Sequence, residues 1–232
     1  MNNLREFYLQ HIDPRRSDYL NNYKDYLLGK SKILDVGCGI GNFISLDPKH
    51  IVGIDQNIES LKIAKKRGFN VQKADASKLP FNNQSIDGIF CSHVIEHLYP
   101  EKALNMLYEF DRVLKKGGVI VLKSPLMYSR FYQDLTHIRP YPPESIMDYL
   151  MQTTMTSTQR TANLQKKASY IIENLSYRYD YIYYPLLEPS RIQDTFAMNL
   201  TQIAKIASMV LYKIGIRNYL VKNGYTLVLK KL

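Results

Sequence analysis

Two histidine-containing segments and one glycine run hold the residues with the means to do chemistry. Ser92-His93-Val94-Ile95-Glu96-His97 puts two imidazoles and a carboxylate within six residues. An imidazole titrates near neutrality and can take a proton, and a nearby carboxylate can orient it. His93 comes first after an apolar run, which makes it the better general-base candidate, while Glu96 and His97 are suited to hydrogen-bonding the local loop. The second segment is Asp134-Leu135-Thr136-His137-Ile138-Arg139-Pro140-Tyr141. Here Asp134 is spaced to orient His137 as a base and Arg139 to hold an anionic group, with Tyr141 beside it. A proline-stiffened turn whose polar groups satisfy one another is the competing reading. The third stretch, Asp35-Val36-Gly37-Cys38-Gly39-Ile40-Gly41, has glycines at alternate positions, as a backbone needs where it takes positive φ or lets a ligand lie against it.

These segments need a frame, and the apolar runs supply one. Ile33-Leu34-Asp35-Val36 reads as a buried strand running into the glycine turn, and Ile51-Val52-Gly53-Ile54 as a second strand followed directly by Asp55. Asn57 to Arg67 has helical spacing, with Gly68 as its stop. A third strand opens at Val71 and ends near Asp75, a fourth covers Ser85 to Cys91, and a helix runs from about Glu101 to Leu114. Lys115-Lys116-Gly117-Gly118 ends that helix, and Val119 to Leu122 forms a fifth strand before Lys123-Ser124-Pro125. This order is the first half of a nucleotide-binding doubly wound sheet, whose ligands lie outside the carboxyl ends of the strands. Asp55 is placed to accept hydrogen bonds from both hydroxyls of a ribose. Asp75 and Ala76 are candidates for contacts with an adenine ring.

The 232 residues suffice for one sizeable domain, and 45% apolar with 22% charged residues is the composition of a soluble globular protein. No stretch has the ~18 uninterrupted apolar residues of a spanning helix, and the first residues lack a signal-peptide core, so a cytoplasmic location is expected. Two cysteines, Cys38 and Cys91, make neither a disulfide framework nor a zinc site. The net charge of +10 is uneven: from Met151 onward eleven Lys/Arg face four Asp/Glu, leaving twenty of the 31 and seventeen of the 21 to the first 150 residues. A basic tail suits an anionic partner or is simply a solvated face.

Taken in order, Asp35-x-Gly37-x-Gly39-x-Gly41, Asp55, Asp75-Ala76, Ile95-Glu96-His97-Leu98 and Arg112-x-x-x-x-Gly117-Gly118 resemble the class I S-adenosylmethionine-dependent methyltransferases, and within them the type 11 group that includes quinone-biosynthesis enzymes. The likeness covers roughly residues 33–126. A dinucleotide fingerprint would want glycine where Asn42 stands. The resemblance implies an α/β, doubly wound, Rossmann-like seven-stranded sheet with a reversed C-terminal β-hairpin. Candidate strands for that hairpin are Tyr177 to Tyr184 and Tyr225 to Leu229, separated by a helical insertion over 185–223 before the last strand. Residues 1–30 would form a helical cap, 31–232 the domain, and the polar run 152–168 a linker or lid.

The resemblance further implies S-adenosylmethionine as cofactor, held by Asp35, Gly37, Cys38, Gly39, Gly41, Asp55, Gln56, Asp75, Ala76 and Ser92. Catalysis would fall to His93, His137 and Asp134, with Arg139 and Tyr141 toward the acceptor. Some quinone-pathway relatives use a metal near the loop after the fourth strand, but His93 stands where an acid is expected, and no metal is assigned. The expected reaction is methyl transfer to a small molecule, glycan or lipid-linked acceptor, most readily at oxygen. Alternatives are an RNA methyltransferase, for which the basic tail speaks, and an inactive cofactor-binding scaffold docking on a membrane or partner through 185–223. The latter segment has an apolar stripe from Ile203 to Ile214 among basic residues, which also suits packing on its own domain.

Overall fold

The computed structural model describes residues 14–128, 131–151, 169–181 and 220–232. Its centre is a seven-stranded sheet in the order β3-β2-β1-β4-β5-β7-β6. The strands are β1 (Ile33–Val36), β2 (Ile51–Asp55), β3 (Val71–Lys73), β4 (Ile86–Ser92), β5 (Leu114–Pro125), β6 (Tyr170–Tyr181) and β7 (Leu220–Lys231). Strands β1 to β5 are parallel, and β7 runs antiparallel to both β5 and β6. This is the doubly wound sheet with its reversed terminal hairpin, as the sequence leads one to expect.

The central strands read as nearly unbroken apolar runs because helices cover both faces. All four residues of β1 are buried. Alternation then divides them: Leu34, Val36 and Ile54 enter one core, while Ile33, Ile51 and Phe90 enter the other. On the first face lie α3 (Pro100–Val113) and α4 (Pro143–Met151), which contribute Met106, Phe110, Ile146 and Leu150. Helix α3 begins with Pro100 at its first turn, where no intrahelical N–H is required. Burial of Phe110 and Met106 stabilises the packing by about 2 to 3 kcal/mol each.

On the second face lie α1 (Pro14–Asn22), continued as a π-helical turn through Leu27, and α2 (Ile58–Lys66). Phe43 stacks on Phe90 with centroids 3.8 Å apart, and the Tyr19 ring meets both edge-on. Leu27 is fully buried against Gly88, where a Cβ would come within 2.5 Å of its Cδ2. Helix α2 is capped by Asn57, whose Oδ1 accepts from Glu59 N–H and Ser60 N–H. That leaves the neighbouring Asp55 free of capping duty.

Several boundaries differ from the sequence reading. Strand β5 begins at Leu114, directly from α3, because Ile86 of β4 pairs with Leu114 before the ladder resumes at Val119. Strand β3 stops at Lys73, and Asp75 forms only an isolated bridge with Lys78. Strand β6 starts at Tyr170, earlier than the tyrosine alternation indicates, since Tyr170 pairs with Lys231 at the far end of β7. Residues 220–223, assigned from sequence to the insertion, belong to β7. The N-terminal half of the expected cap, the polar run 152–168 and the insertion from 185 to 219 lie outside the described residues.

Candidate cofactor and acceptor site

The sheet order reverses between β1 and β4, and the crevice beyond the carboxyl ends of these strands is where an open α/β sheet receives ligands. Both loops there come from residues singled out by sequence. Gly37, Gly39 and Gly41 all have positive φ, at 73°, 52° and 83°. A Cβ on Gly37 would stand 2.4 Å from Val94 Cγ2, so the loop after β1 is pressed against the loop after β4. At Gly39 a Cβ would meet nothing within 4 Å. Conformation and close approach therefore fix the turn, and its middle glycine faces open room.

Asp55, at the end of β2, accepts from Gly39 N–H through Oδ2 at 2.8 Å and from Asn57 N–H through Oδ1 at 2.7 Å. A carboxylate has about four lone-pair sites, so capacity remains for ligand hydroxyls. Asp35 is buried beneath the turn, and its Oδ2 has no hydrogen-bond partner. Burial, followed by the nearby Asp55 charge, pushes its pKa up to about 8. An orphaned buried acid beside positive-φ glycines is an environment that a cationic ligand completes.

The remaining cofactor candidates are spread around the crevice. Asp75 Oδ1 accepts from Ser77 N–H and Oγ–H, and Oδ2 pairs with Lys102 at 2.8 Å. Burial works to raise its pKa, but the hydrogen bonds from Lys102 and Ser77 outweigh that and hold it low. Ala76 is buried, Gln56 is exposed, and Ser92 is half-buried at the end of β4. Cys38 is buried, and desolvation pushes its thiol far up, so it packs rather than reacts.

The loops after β4 and β5 form the other wall of the crevice. His93 takes φ 58°, a left-handed conformation uncommon outside glycine, and its Nδ1 lies 2.9 Å from Glu96 Oε1. Glu96 is fully buried, and its Oε2 accepts from Ser124 Oγ–H at 3.2 Å. Because a carboxylate only accepts, Nδ1 of His93 carries the proton and Nε2 keeps its lone pair.

The loop after β5 is stitched over this one. Ile138 N–H donates to Glu96 O at 2.8 Å, and Tyr141 Oη–H donates to Leu98 O at 2.8 Å. His137 Nδ1 faces Phe131 O at 2.7 Å, whereas Asp134 Oδ2 stands 3.8 Å from its Nε2. The orienting group on His137 is thus a backbone carbonyl. Asp134 is instead engaged by Thr136, whose Oγ–H and N–H hydrogen bonds hold its pKa low. Tyr141 is in the core, its ring under the exposed Arg139 guanidinium at 5.2 Å and its O accepting from Tyr225 Oη–H.

Residues 34–122 match the family described as a methyltransferase domain. Over that stretch the chain is similar to methyltransferase domains. Its fold is that of a solved S-adenosylmethionine-dependent methyltransferase from Archaeoglobus fulgidus, with a TM-score of 0.63 at 22% identity over 98% of this chain and 99% of that one. A ubiquinone/menaquinone biosynthesis C-methyltransferase of Campylobacter jejuni is 36% identical over 110 residues, 42% of this chain and 46% of the relative. A tRNA (carboxymethyluridine(34)-5-O)-methyltransferase of Arabidopsis thaliana is 34% identical over 94 residues, 40% of this chain and 23% of the relative. The chain spans about half or less of the length of the curated relatives it matches.

The similarity points to S-adenosylmethionine as the cofactor, and the orphaned Asp35 oxygen and the open face at Gly39 fit such a cationic ligand. Three features of the site escaped sequence reasoning. Lys123 is buried at the end of β5 and paired with Asp18 of α1, yet burial and the Arg178 guanidinium depress its pKa to about 8. Ser124 supports Glu96. The Glu109–Arg112 pair fixes the loop after β3: Glu109 Oε2 accepts from Leu79 N–H at 2.6 Å, and Arg112 donates to Leu79 O, Phe81 O and Asn83 Oδ1. The i, i+3 spacing of Glu109 and Arg112 within a helix was the available signal. Among the described residues no helix is long and apolar enough to cross a membrane.

Proposed function

We propose that the protein is an S-adenosylmethionine-dependent methyltransferase whose acceptor is a small molecule with an ionisable oxygen, and that His93 removes or receives the acceptor proton. The observation that carries the proposal is the buried Glu96 carboxylate, which pins His93 Nδ1 at 2.9 Å and leaves Nε2 as the basic nitrogen. Bound at the glycine turn, the cofactor supplies a methyl group on a sulfonium leaving group. The protein then has two tasks: to hold the acceptor oxygen in line, and to take its proton. His93 is 44% exposed at its side chain, so Nε2 is open to an acceptor, while Glu96 has no exposure at all. The resting left-handed backbone at His93 has an energetic cost of order 1 to 3 kcal/mol, which is supported by His93 N–H donating to Lys123 O.

A quinol-like acceptor class accords with the ubiquinone/menaquinone relative, which is named for transfer to carbon, and an RNA acceptor with the tRNA relative and the +10 charge. The small-molecule reading is preferred because in the sequence the basic excess falls after Met151, outside the segments 92–97 and 134–141 that carry the candidate acid–base residues. Methyl transfer from radiolabelled cofactor should be measured against phenols, quinols, hydroxylated lipids, glycans and total RNA. His93→Gln should lower kcat/KM by about 100-fold or more on the accepted substrate, with cofactor affinity unchanged. Activity of His93→Gln within threefold of wild type would overturn the assignment of the base. Steeply salt-dependent transfer to RNA, with none to the small molecules, would overturn the acceptor class.

A further inference from the structure

We infer that Glu96, His97 and His137 form a binding site for a single divalent transition-metal ion at the junction of the loops after β4 and β5. The three side chains offer one donor atom each, and those atoms all lie within 4.8 Å of one another. They come from two segments some forty residues apart in sequence, joined by the Ile138 N–H to Glu96 O hydrogen bond. The imidazoles of His97 and His137 have centroids 4.9 Å apart at 57°.

The proton placement on both rings is that of metal ligands. His137 Nδ1 faces Phe131 O, which can only accept, so the proton is on Nδ1 and Nε2 keeps a lone pair. His97 Nδ1 faces Thr136 O at 3.1 Å and Thr136 Oγ1 at 3.0 Å. Thr136 gives its hydroxyl proton to Asp134 Oδ1 at 2.6 Å, so toward His97 it too is an acceptor. His97 therefore also has its proton on Nδ1 and a free Nε2. Ring nitrogens turned toward backbone carbonyls are what fix the tautomer and orientation of ligating histidines. The carboxylate is prepared in the same way, since Glu96 receives hydrogen bonds from His93 and Ser124 and retains lone pairs.

Two imidazoles with one carboxylate suit Zn²⁺ or Fe²⁺, whereas Mg²⁺ and Ca²⁺ take oxygen donors. Ligand atoms around a tetrahedral ion with bonds of about 2.1 Å are roughly 3.4 Å apart, so closure needs a movement of about 1 Å. His97 lies half-buried at the rim and can supply it. Three protein ligands leave at least one coordination position open, and an acceptor hydroxyl or enolate oxygen is the group that would take it, beside His93. That use of the ion rests on the acceptor chemistry proposed above; the binding of the ion does not.

Untagged protein, dialysed against chelator, should take up one equivalent of Zn²⁺ in a calorimetric titration and show no comparable binding of Mg²⁺. His97→Gln and His137→Gln should each weaken Zn²⁺ binding by more than the roughly 10 to 100-fold that outer partners of a ligand are worth. His50→Gln, altering a histidine that pairs with Asp47 elsewhere in the fold, should leave it unchanged. S-adenosylmethionine binding retained in all three variants would show that they are folded. Absence of stoichiometric Zn²⁺ uptake by wild type, or equal affinity in wild type, His97→Gln and His137→Gln, would overturn the site. Neither result depends on methyl transfer, so loss of the metal site and loss of the proposed activity are read separately.

Discussion

Replacing Asp35 by asparagine should separate stability from cofactor binding. The Asp35 carboxyl is buried, its Oδ2 is unpartnered, and its pKa is raised from 3.8 to about 8 by burial and by Asp55. Below about pH 4 the group is protonated in both folded and unfolded chains, and it contributes no pH dependence. Between about pH 4 and pH 8 the unfolded chain releases the proton while the folded one retains it. Stability therefore falls as pH rises, at about 1.4 kcal/mol per pH unit for this one group. Across the whole window the loss is of order 5 kcal/mol, which Asp35→Asn should abolish because an amide does not ionise. Urea unfolding at pH 4.5 and pH 8 would measure it. The variant should be close to wild type at the lower pH and more stable by several kcal/mol at the higher. Calorimetry should at the same time show weaker S-adenosylmethionine binding, since the positively charged ligand loses its partner. Wild-type binding at pH 7 should release protons, visible as an enthalpy that depends on the buffer's ionisation heat. Parallel pH–stability curves for the two proteins, or a variant that binds the cofactor like wild type, would refute the reasoning.

Three further outcomes follow from the same geometry. Asp55→Ala removes acceptors from Gly39 N–H and Asn57 N–H and should weaken cofactor binding at least about tenfold, read by calorimetry, while Asp55→Asn, which keeps one acceptor oxygen, should lose less. Gly41→Ala places a Cβ 2.4 Å from the Phe69 ring at φ 83°, and it should destabilise the fold by about 1 to 3 kcal/mol in denaturant titration, with loss of cofactor binding. Arg112→Ala strands Glu109, which is 8% exposed and holds Leu79 N–H, and should cost about 2 to 4 kcal/mol, measured by thermal or urea unfolding; Arg112→Met should be no better, because the charge is what Glu109 requires.

Much of the frame could be read from local pattern. Ile33 to Val36, Ile51 to Ile54 and Val119 to Leu122 are apolar on both faces because helices cover both sides of a parallel sheet, and that leaves a direct mark in sequence. The glycines at 37, 39 and 41 were legible for a similar reason: each backbone lies at positive φ, and a side chain there is costly. Element ends were less legible. The start of β6 at Tyr170 and the extension of β7 back to Leu220 depend on pairing partners far along the chain, such as Tyr170 with Lys231. No local period records such a register.

The histidine cluster shows the division most clearly. Sequence alone determined that His93, Glu96, His97 and His137 lie after parallel strands, in loops at the carboxyl end of a sheet, the end at which open α/β sheets receive ligands. Only the tertiary structure decided which groups meet. Proximity along the chain made Asp134 the natural partner of His137, yet the turn gives Asp134 to Thr136 and sets Phe131 O against the ring. Proximity likewise grouped His93 with Glu96 and His97, whereas folding brings His137 to Glu96 and His97 through a backbone hydrogen bond between loops. The physical reason is that a loop's own conformation fixes where its side chains point, while residue type and spacing fix only what those side chains could do.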